Sequence, residues 1–134
     1  NVGGPGASGG KGQAIADYAR QFRGYRYIYG TAGPNTFDCS GLVLYVYKQF
    51  GMDLPHTSRL QGEMGARVDI NNLQAGDLVF FDTIAGNGLA YDHVGIYLSG
   101  GQFVQAASSR SGVIISSLLS GYYRNTFVCG RRLI

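Results

Sequence analysis

The apolar residues of this chain change their spacing near Gly76, and that change limits the fold more than any other feature. Upstream, Ile15, Tyr18, Ala19 and Phe22 recur at helical spacing, as do Leu42, Tyr45, Val46 and Phe50. Downstream, Asp77–Asp82 is a continuous apolar stretch between acidic ends. Asp92–Leu98 alternates, with Val94, Ile96 and Leu98 on one face and His93, Gly95 and Tyr97 on the other. Gln102–Ala107, Val113–Leu118 and Phe127–Leu133 supply further strands. Helices first and strands afterwards predict an α+β domain, with N-terminal helices packed on a small, mostly antiparallel β-sheet.

Several classes of protein are excluded. A chain of 134 residues has the length of one domain, and 45% hydrophobic against 14% charged residues is a globular composition. Residues 1–12, rich in Gly, read as the flexible end of a linker, which leaves 13–134 as the folded domain of a longer chain. Two cysteines and two histidines at unrelated spacing make neither a disulfide scaffold nor a zinc finger, and no metal or cofactor is expected. No apolar run approaches the roughly 18 residues of a membrane span. The net charge of +3 comes from scattered arginines without a basic, aromatic-laced stripe. That argues against nucleic acid as a partner and is compatible with an anionic bacterial wall.

Asp38 is placed to cap the helix bearing Leu42 and Val46, with Gly51 closing it, and Ser58-x-x-Gln61 reads as a capping box. Cys39 then occupies the first helical turn, where unpaired N–H groups favour an anion. There a thiol pKa is expected to fall, and the same N–H groups can hold an oxyanion. A buried, inert thiol is the competing reading of Cys39, and the one preferred for Cys129. A nucleophilic thiol needs a base. His93 faces away from the apolar side of its strand, towards room left by Gly95, whereas His56 lies in a Pro-containing loop and reads as a surface residue. A three-residue turn, Ser99-Gly100-Gly101, pairs Gly95 with Gln105 and places Gln105 beside His93 as an acceptor for Nδ1. A two-residue turn shifts Gln105 to the opposite face.

Three segments, Phe37-Asp38-Cys39-Ser40-Gly41-Leu42-Val43, Ala75-Gly76-Asp77-Leu78-Val79-Phe80-Phe81 and Asp92-His93-Val94-Gly95-Ile96-Tyr97-Leu98, resemble the core motifs of the NlpC-type family of bacterial cell-wall cysteine peptidases. Gly24-Tyr25-Arg26-Tyr27-Ile28-Tyr29-Gly30 is similar to that family's aromatic-glycine motif, and Leu54-Pro55-His56-Thr57-Ser58 to its Leu-Pro-Arg-Thr-Ser loop. The resemblance implies a papain-like fold and a secreted or wall-associated enzyme (periplasmic in a Gram-negative cell). It implies cleavage of peptidoglycan stem peptides or muropeptides, usually between D-γ-glutamate and the third residue, through a thioester. Cys39 becomes the nucleophile, His93 the base and Gln105 the third member, with Tyr27, Asp38, Ser40 and Ser58 at substrate-binding positions. Gln105 stands where the family most often has His, Tyr29 where Trp is frequent, Thr31 in place of Gly and His56 in place of Arg. Two alternatives remain: the same triad acting on another acyl or γ-glutamyl substrate, and a degenerate module that binds the wall without cleaving it.

Overall fold

In the computed structural model, which describes residues 6–84, 86 and 88–134, helix α1 (Gly6–Arg20) is followed by the short strands β1 (Arg26–Tyr27) and β2 (Thr36–Phe37). Helices α2 (Cys39–Lys48) and α3 (Ser58–Gln61) come next, and then β3 (Ala66–Val68), β4 (Leu78–Phe81) and β5 (His93–Ser99). The chain ends with β6 (Gln102–Ser108), β7 (Gly112–Ser117), helix α4 (Tyr122–Thr126) and β8 (Phe127–Arg132). Six strands form one sheet in the order β3-β8-β4-β5-β6-β7, every neighbouring pair antiparallel. β1 and β2 form a separate parallel pair.

β4 reads as an unbroken apolar run because both of its faces are covered. Leu78 and Phe80 join Val94, Ile96 and Val104 beneath the buried faces of α1 and α2, including Ile15, Ala19, Leu42 and Val46. Val79 and Phe81 pack on the other side with Phe103 and Leu118. All four β4 side chains have no exposed surface, and each such burial contributes about 1.5–3 kcal/mol. The predicted α+β architecture, helices against a small antiparallel sheet, is what the chain adopts.

Three local expectations are corrected. The helix expected from Gln13 to Phe22 spans Gly6–Arg20, so part of the Gly-rich segment is helical; residues 1–5 of that segment lie outside the described residues. Gly12 is the reason the helix lies where it does. A Cβ there would fall 2.3 Å from the Ala75 carbonyl oxygen, so only glycine lets α1 settle on the turn before β4. That docking offsets a glycine's helix penalty of about 1 kcal/mol. At α3 the cap is Thr57, whose hydroxyl accepts from Leu60 N at 3.1 Å, not Ser58. Gln61 turns inward instead of back to a cap, and its Nε2 donates to Ser40 O at 3.1 Å and Pro55 O at 2.8 Å.

The third correction concerns the hairpin. Ser99 pairs with Gln102 around a two-residue turn, Gly100-Gly101, whose φ angles of +58° and +82° suit two consecutive glycines. A bulge between Tyr97 and Ser99 absorbs one residue, so Tyr97 pairs with Phe103 and Ile96 with Val104. The expected facing of the strands is therefore kept by a different turn. Gly95 leaves no open space either, because the Phe103 ring and the Val104 carbonyl would both lie within 3 Å of a Cβ there.

Candidate active site

Asp38 builds the N-terminus of α2. Its backbone is extended, and Oδ1 accepts from Gly41 N at 2.7 Å, capping the helix as expected. Oδ2 accepts from Gly30 N at 2.8 Å, which ties the aromatic-glycine loop to the same carboxylate. Gly41 permits this close approach, since a Cβ would lie 2.0 Å from the Thr31 carbonyl oxygen. Cys39 follows as the first helical residue, partly buried and free of any disulfide, and Cys129 is a free, buried thiol in β8.

His93 opens β5 and Gln105 lies in the middle of β6, both buried. His93 Nε2 and Gln105 Oε1 are 2.5 Å apart. The expected partnership is present, but through the other ring nitrogen: Gln105 holds Nε2, not Nδ1. Gln105 Nε2 in turn donates to Ser116 Oγ on β7 at 2.8 Å. An amide that donates to Ser116 turns its oxygen to the ring, so the His93 proton sits on Nε2 and the lone pair on Nδ1.

The electrostatics reverse one expectation. Burial, and then the charge of Asp38, push the Cys39 thiol up to about 11. Backbone hydrogen bonds at Ser40, Val94 and Cys39 itself pull the other way and are outweighed. The lowering anticipated from the helix N-terminus therefore does not prevail. Val94 follows His93 directly, so the thiol meets β5 at the residue next to the histidine. Burial also holds the His93 pKa below its ordinary 6.5, against the raising effects of Gln105 and Asp92. The thiol and the imidazole are thus both held towards their neutral forms.

The flanking residues divide into those the fold joins to this site and those it does not. Tyr27 on β1 is half-buried, and burial followed by the charges of Cys39 and Asp38 raises its hydroxyl pKa, which places it beside both. Ser40 is buried, with its hydroxyl 3.5 Å from Asp38 Oδ1 and its carbonyl held by Gln61. Ser58 is half-buried at the start of α3, and among the described residues the side-chain hydrogen bond from this loop to Asp38 comes from His56. Nε2 of His56 lies 2.9 Å from Asp38 Oδ1, so the residue expected on the open surface is part of the site's wall. His56 and Ser116 are the two residues that sequence reasoning missed. The first had a signal, a loop imidazole close to an acidic cap, whereas the second depended on the pairing of β6 with β7.

Comparison with known proteins adds an independent line. Residues 24–132 match the model of the NlpC/P60 family. The chain is 40% identical over 121 residues to the Escherichia coli K12 protein named murein DD-endopeptidase MepS/murein LD-carboxypeptidase, covering 90% of this chain and 62% of that protein. NlpC2 from Trichomonas vaginalis superposes with a TM-score of 0.84 at 30% identity, over 91% of this chain and 46% of that one. The NlpC/p60 domain of the peptidoglycan hydrolase SagA superposes with a TM-score of 0.77 at 30% identity, over 90% of this chain and 97% of that domain. The chain thus spans about 62% of the E. coli relative's length and nearly all of the SagA domain. With the Cys-bearing helix, the antiparallel sheet and a family match over residues 24–132 in agreement, this chain belongs to the NlpC/P60 family.

Proposed function

We propose that this domain is a cysteine endopeptidase that hydrolyses stem peptides of peptidoglycan outside the cytoplasm. The observation that carries the reading is the orientation of His93: Gln105 occupies Nε2 at 2.5 Å and leaves Nδ1 as the base, on the strand whose Val94 backbone meets the Cys39 thiol. Cys39 Sγ attacks the scissile carbonyl carbon while its proton passes to His93 Nδ1. The electron pair of the C=O bond moves to oxygen, and the amides at the start of α2 receive the oxyanion. Collapse of this intermediate breaks the C–N bond, His93 protonates the leaving amine, and a thioester remains on Cys39. A water molecule, deprotonated by the same nitrogen, attacks the thioester to give a carboxylate product and the free thiol. Tyr27, Asp38, Ser40 and Ser58 are the residues assigned to binding the stem in this reading.

The preferred bond lies between D-γ-glutamate and the third stem residue, diaminopimelate or lysine. A second reading, cleavage of the D,D cross-link, is favoured by 40% identity to a protein named as a murein DD-endopeptidase. Digestion of muropeptides of both stem types, monomeric and cross-linked, followed by mass spectrometry of the products, separates the two. A D,L cut shortens the stem of monomers, whereas a D,D cut converts dimers to monomers with intact stems. Cys39→Ala must abolish product while retaining the fold. Full cleavage by that variant overturns the reading, and binding without cleavage by the wild type under reducing conditions replaces it with a wall-binding module.

A further inference from the structure

The four-residue helix α3 is anchored by a glutamine where an apolar side chain would be easier to bury. Gln61 is its one buried residue and has no exposed surface, whereas Arg59 and Leu60 are exposed. Gln61 Nε2 donates to Ser40 O at 3.1 Å and to Pro55 O at 2.8 Å. Both partners are backbone carbonyls, which only accept, so they admit the NH2 end of the amide and exclude the other. Its Oε1 is buried and meets no hydrogen-bond donor among the described residues. A buried acceptor without a donor destabilises the fold, and a leucine or methionine at this position would avoid it. What the glutamine supplies, and an apolar residue would not, is its two donors.

Those donors bridge the two segments that form one wall of the site. Ser40 follows Cys39 on α2, and Pro55 precedes His56, whose Nε2 lies 2.9 Å from Asp38 Oδ1. The contacts close a ring. Asp38, Cys39 and Ser40 run along one segment, Gln61 is the bridge, and Pro55 and His56 lead back to Asp38. Among the described residues, hydrogen bonds join this loop to the start of α2 at His56 and at Gln61. The His56 side chain is 33% exposed, so water competes with its contact to Asp38 and that contact is weak by itself. Gln61 is out of water, and its two bonds fix the gap across which His56 reaches.

We propose that Gln61 is a positioning residue for substrate binding: by donating to Ser40 O and Pro55 O together it fixes the His56 loop to the Cys39 helix and holds His56 on the Asp38 carboxylate. Its bonds go to the wall of the cleft and not to Cys39 or His93, so its removal changes KM and leaves kcat. This rests on the reading that Asp38 and Ser58 bind the stem.

Gln61→Met keeps the length of the side chain and removes both donors together with the stranded oxygen. The test measures kcat and KM on muropeptides for wild type, Gln61→Met, His56→Ala and the double variant, each shown to be folded by its urea midpoint. Gln61→Met is expected to raise KM about three- to tenfold, the worth of a lost hydrogen-bonded contact, at a kcat within about twofold of wild type. In the His56→Ala background the same change should move KM by less than about twofold, because the two residues act in one ring. Reaction of His56 with diethyl pyrocarbonate, followed by peptide mapping with the buried His93 as reference, should become several-fold faster in Gln61→Met as the imidazole leaves Asp38. An unchanged KM in folded Gln61→Met, or KM effects that multiply in full in the double variant, overturns the proposal. If Gln61→Met fails to fold, His56→Ala decides alone: a KM raised to the same extent upholds the proposal, and an unchanged KM leaves the bridge nothing to position and overturns it. Muropeptides left intact by the wild type under reducing conditions overturn the peptidase reading instead, and the rate of His56 acylation still decides whether Gln61 holds His56 on Asp38.

Discussion

Alkylation of Cys39 as a function of pH measures the balance that governs its reactivity. The ordinary thiol value of 9.0 rises to about 11 here, because burial and the Asp38 charge disfavour the thiolate more than nearby backbone amides favour it. A rise of that size reduces the thiolate fraction at neutral pH from roughly one in a hundred to roughly one in ten thousand. The rate of reaction with iodoacetamide, followed at Cys39 by peptide mapping so that Cys129 does not interfere, should be about a hundredfold below that of a free thiol at neutral pH. It should still be rising at about pH 10. The raised thiol also bears on stability. Between pH 9 and about 11 the folded state retains a proton that the unfolded chain has lost. Stability therefore falls as pH rises through that window, by about 2–3 kcal/mol from this group. On the acid side, His93 is held neutral to below 6.5, so kcat/KM should persist below that pH and fall only as His93 finally protonates. An alkylation rate that levels off at or below pH 7 refutes the reasoning. It would mean that the helix N-terminus and a charged His93 outweigh burial, and that the resting pair is thiolate and imidazolium.

Two substitutions test the scaffold beneath the site. Gly41→Ala places a Cβ 2.0 Å from Thr31 O and 2.8 Å from Asp38 Oδ1, and should cost about 2–4 kcal/mol in urea denaturation along with most activity. A wild-type unfolding midpoint would show that the loop at Thr31 yields freely. Asp77→Asn removes the charge from a carboxylate that is 1% exposed and accepts from Arg132 Nε at 2.9 Å, Arg132 Nη2 at 2.7 Å and Gln74 N at 2.8 Å. The expected loss is about 3 kcal/mol, or roughly 10 °C in Tm, and an unchanged Tm would mark the ion pair as idle.

Where one segment's own pattern suffices, the sequence is a good guide to this fold. The LVFF run of β4 announced a buried strand, and Asp38 announced the cap of α2. Features that depend on two segments meeting were harder to read. The β5–β6 turn is one example: two glycines chose a two-residue turn, and a bulge near Leu98 restored the facing that a three-residue turn would have given. Face parity in a hairpin depends on the sum of turn length and bulges, and only the first leaves a strong trace in composition. Strand β3 is only three residues long, with Arg67 at its centre, and is recruited by pairing with β8, so local propensity gave no sign of it. The ring nitrogen that His93 turns to Gln105, and the contact of Gln105 with Ser116, likewise arise only where β5, β6 and β7 meet.

Asp38 illustrates why the site could be located from sequence while its wiring could not. One carboxylate accepts from Gly41 N and His56 Nε2 on Oδ1 and from Gly30 N on Oδ2, so it joins three segments that approach from different directions. As a helix cap it is local and legible. As the anchor of the aromatic-glycine loop and the His56 loop it depends on chain reversals that no periodicity encodes. Its charge then acts on what it has gathered, raising both the Cys39 thiol and the Tyr27 hydroxyl after burial has raised them more. The residue that caps the helix of Cys39 is thus also one that holds the Cys39 thiol towards its protonated form. In the proposed mechanism the sulfur proton therefore needs an acceptor at the moment of attack. Nδ1 of His93 is the proposed acceptor because Gln105, which also contacts Ser116 on the edge strand, occupies Nε2.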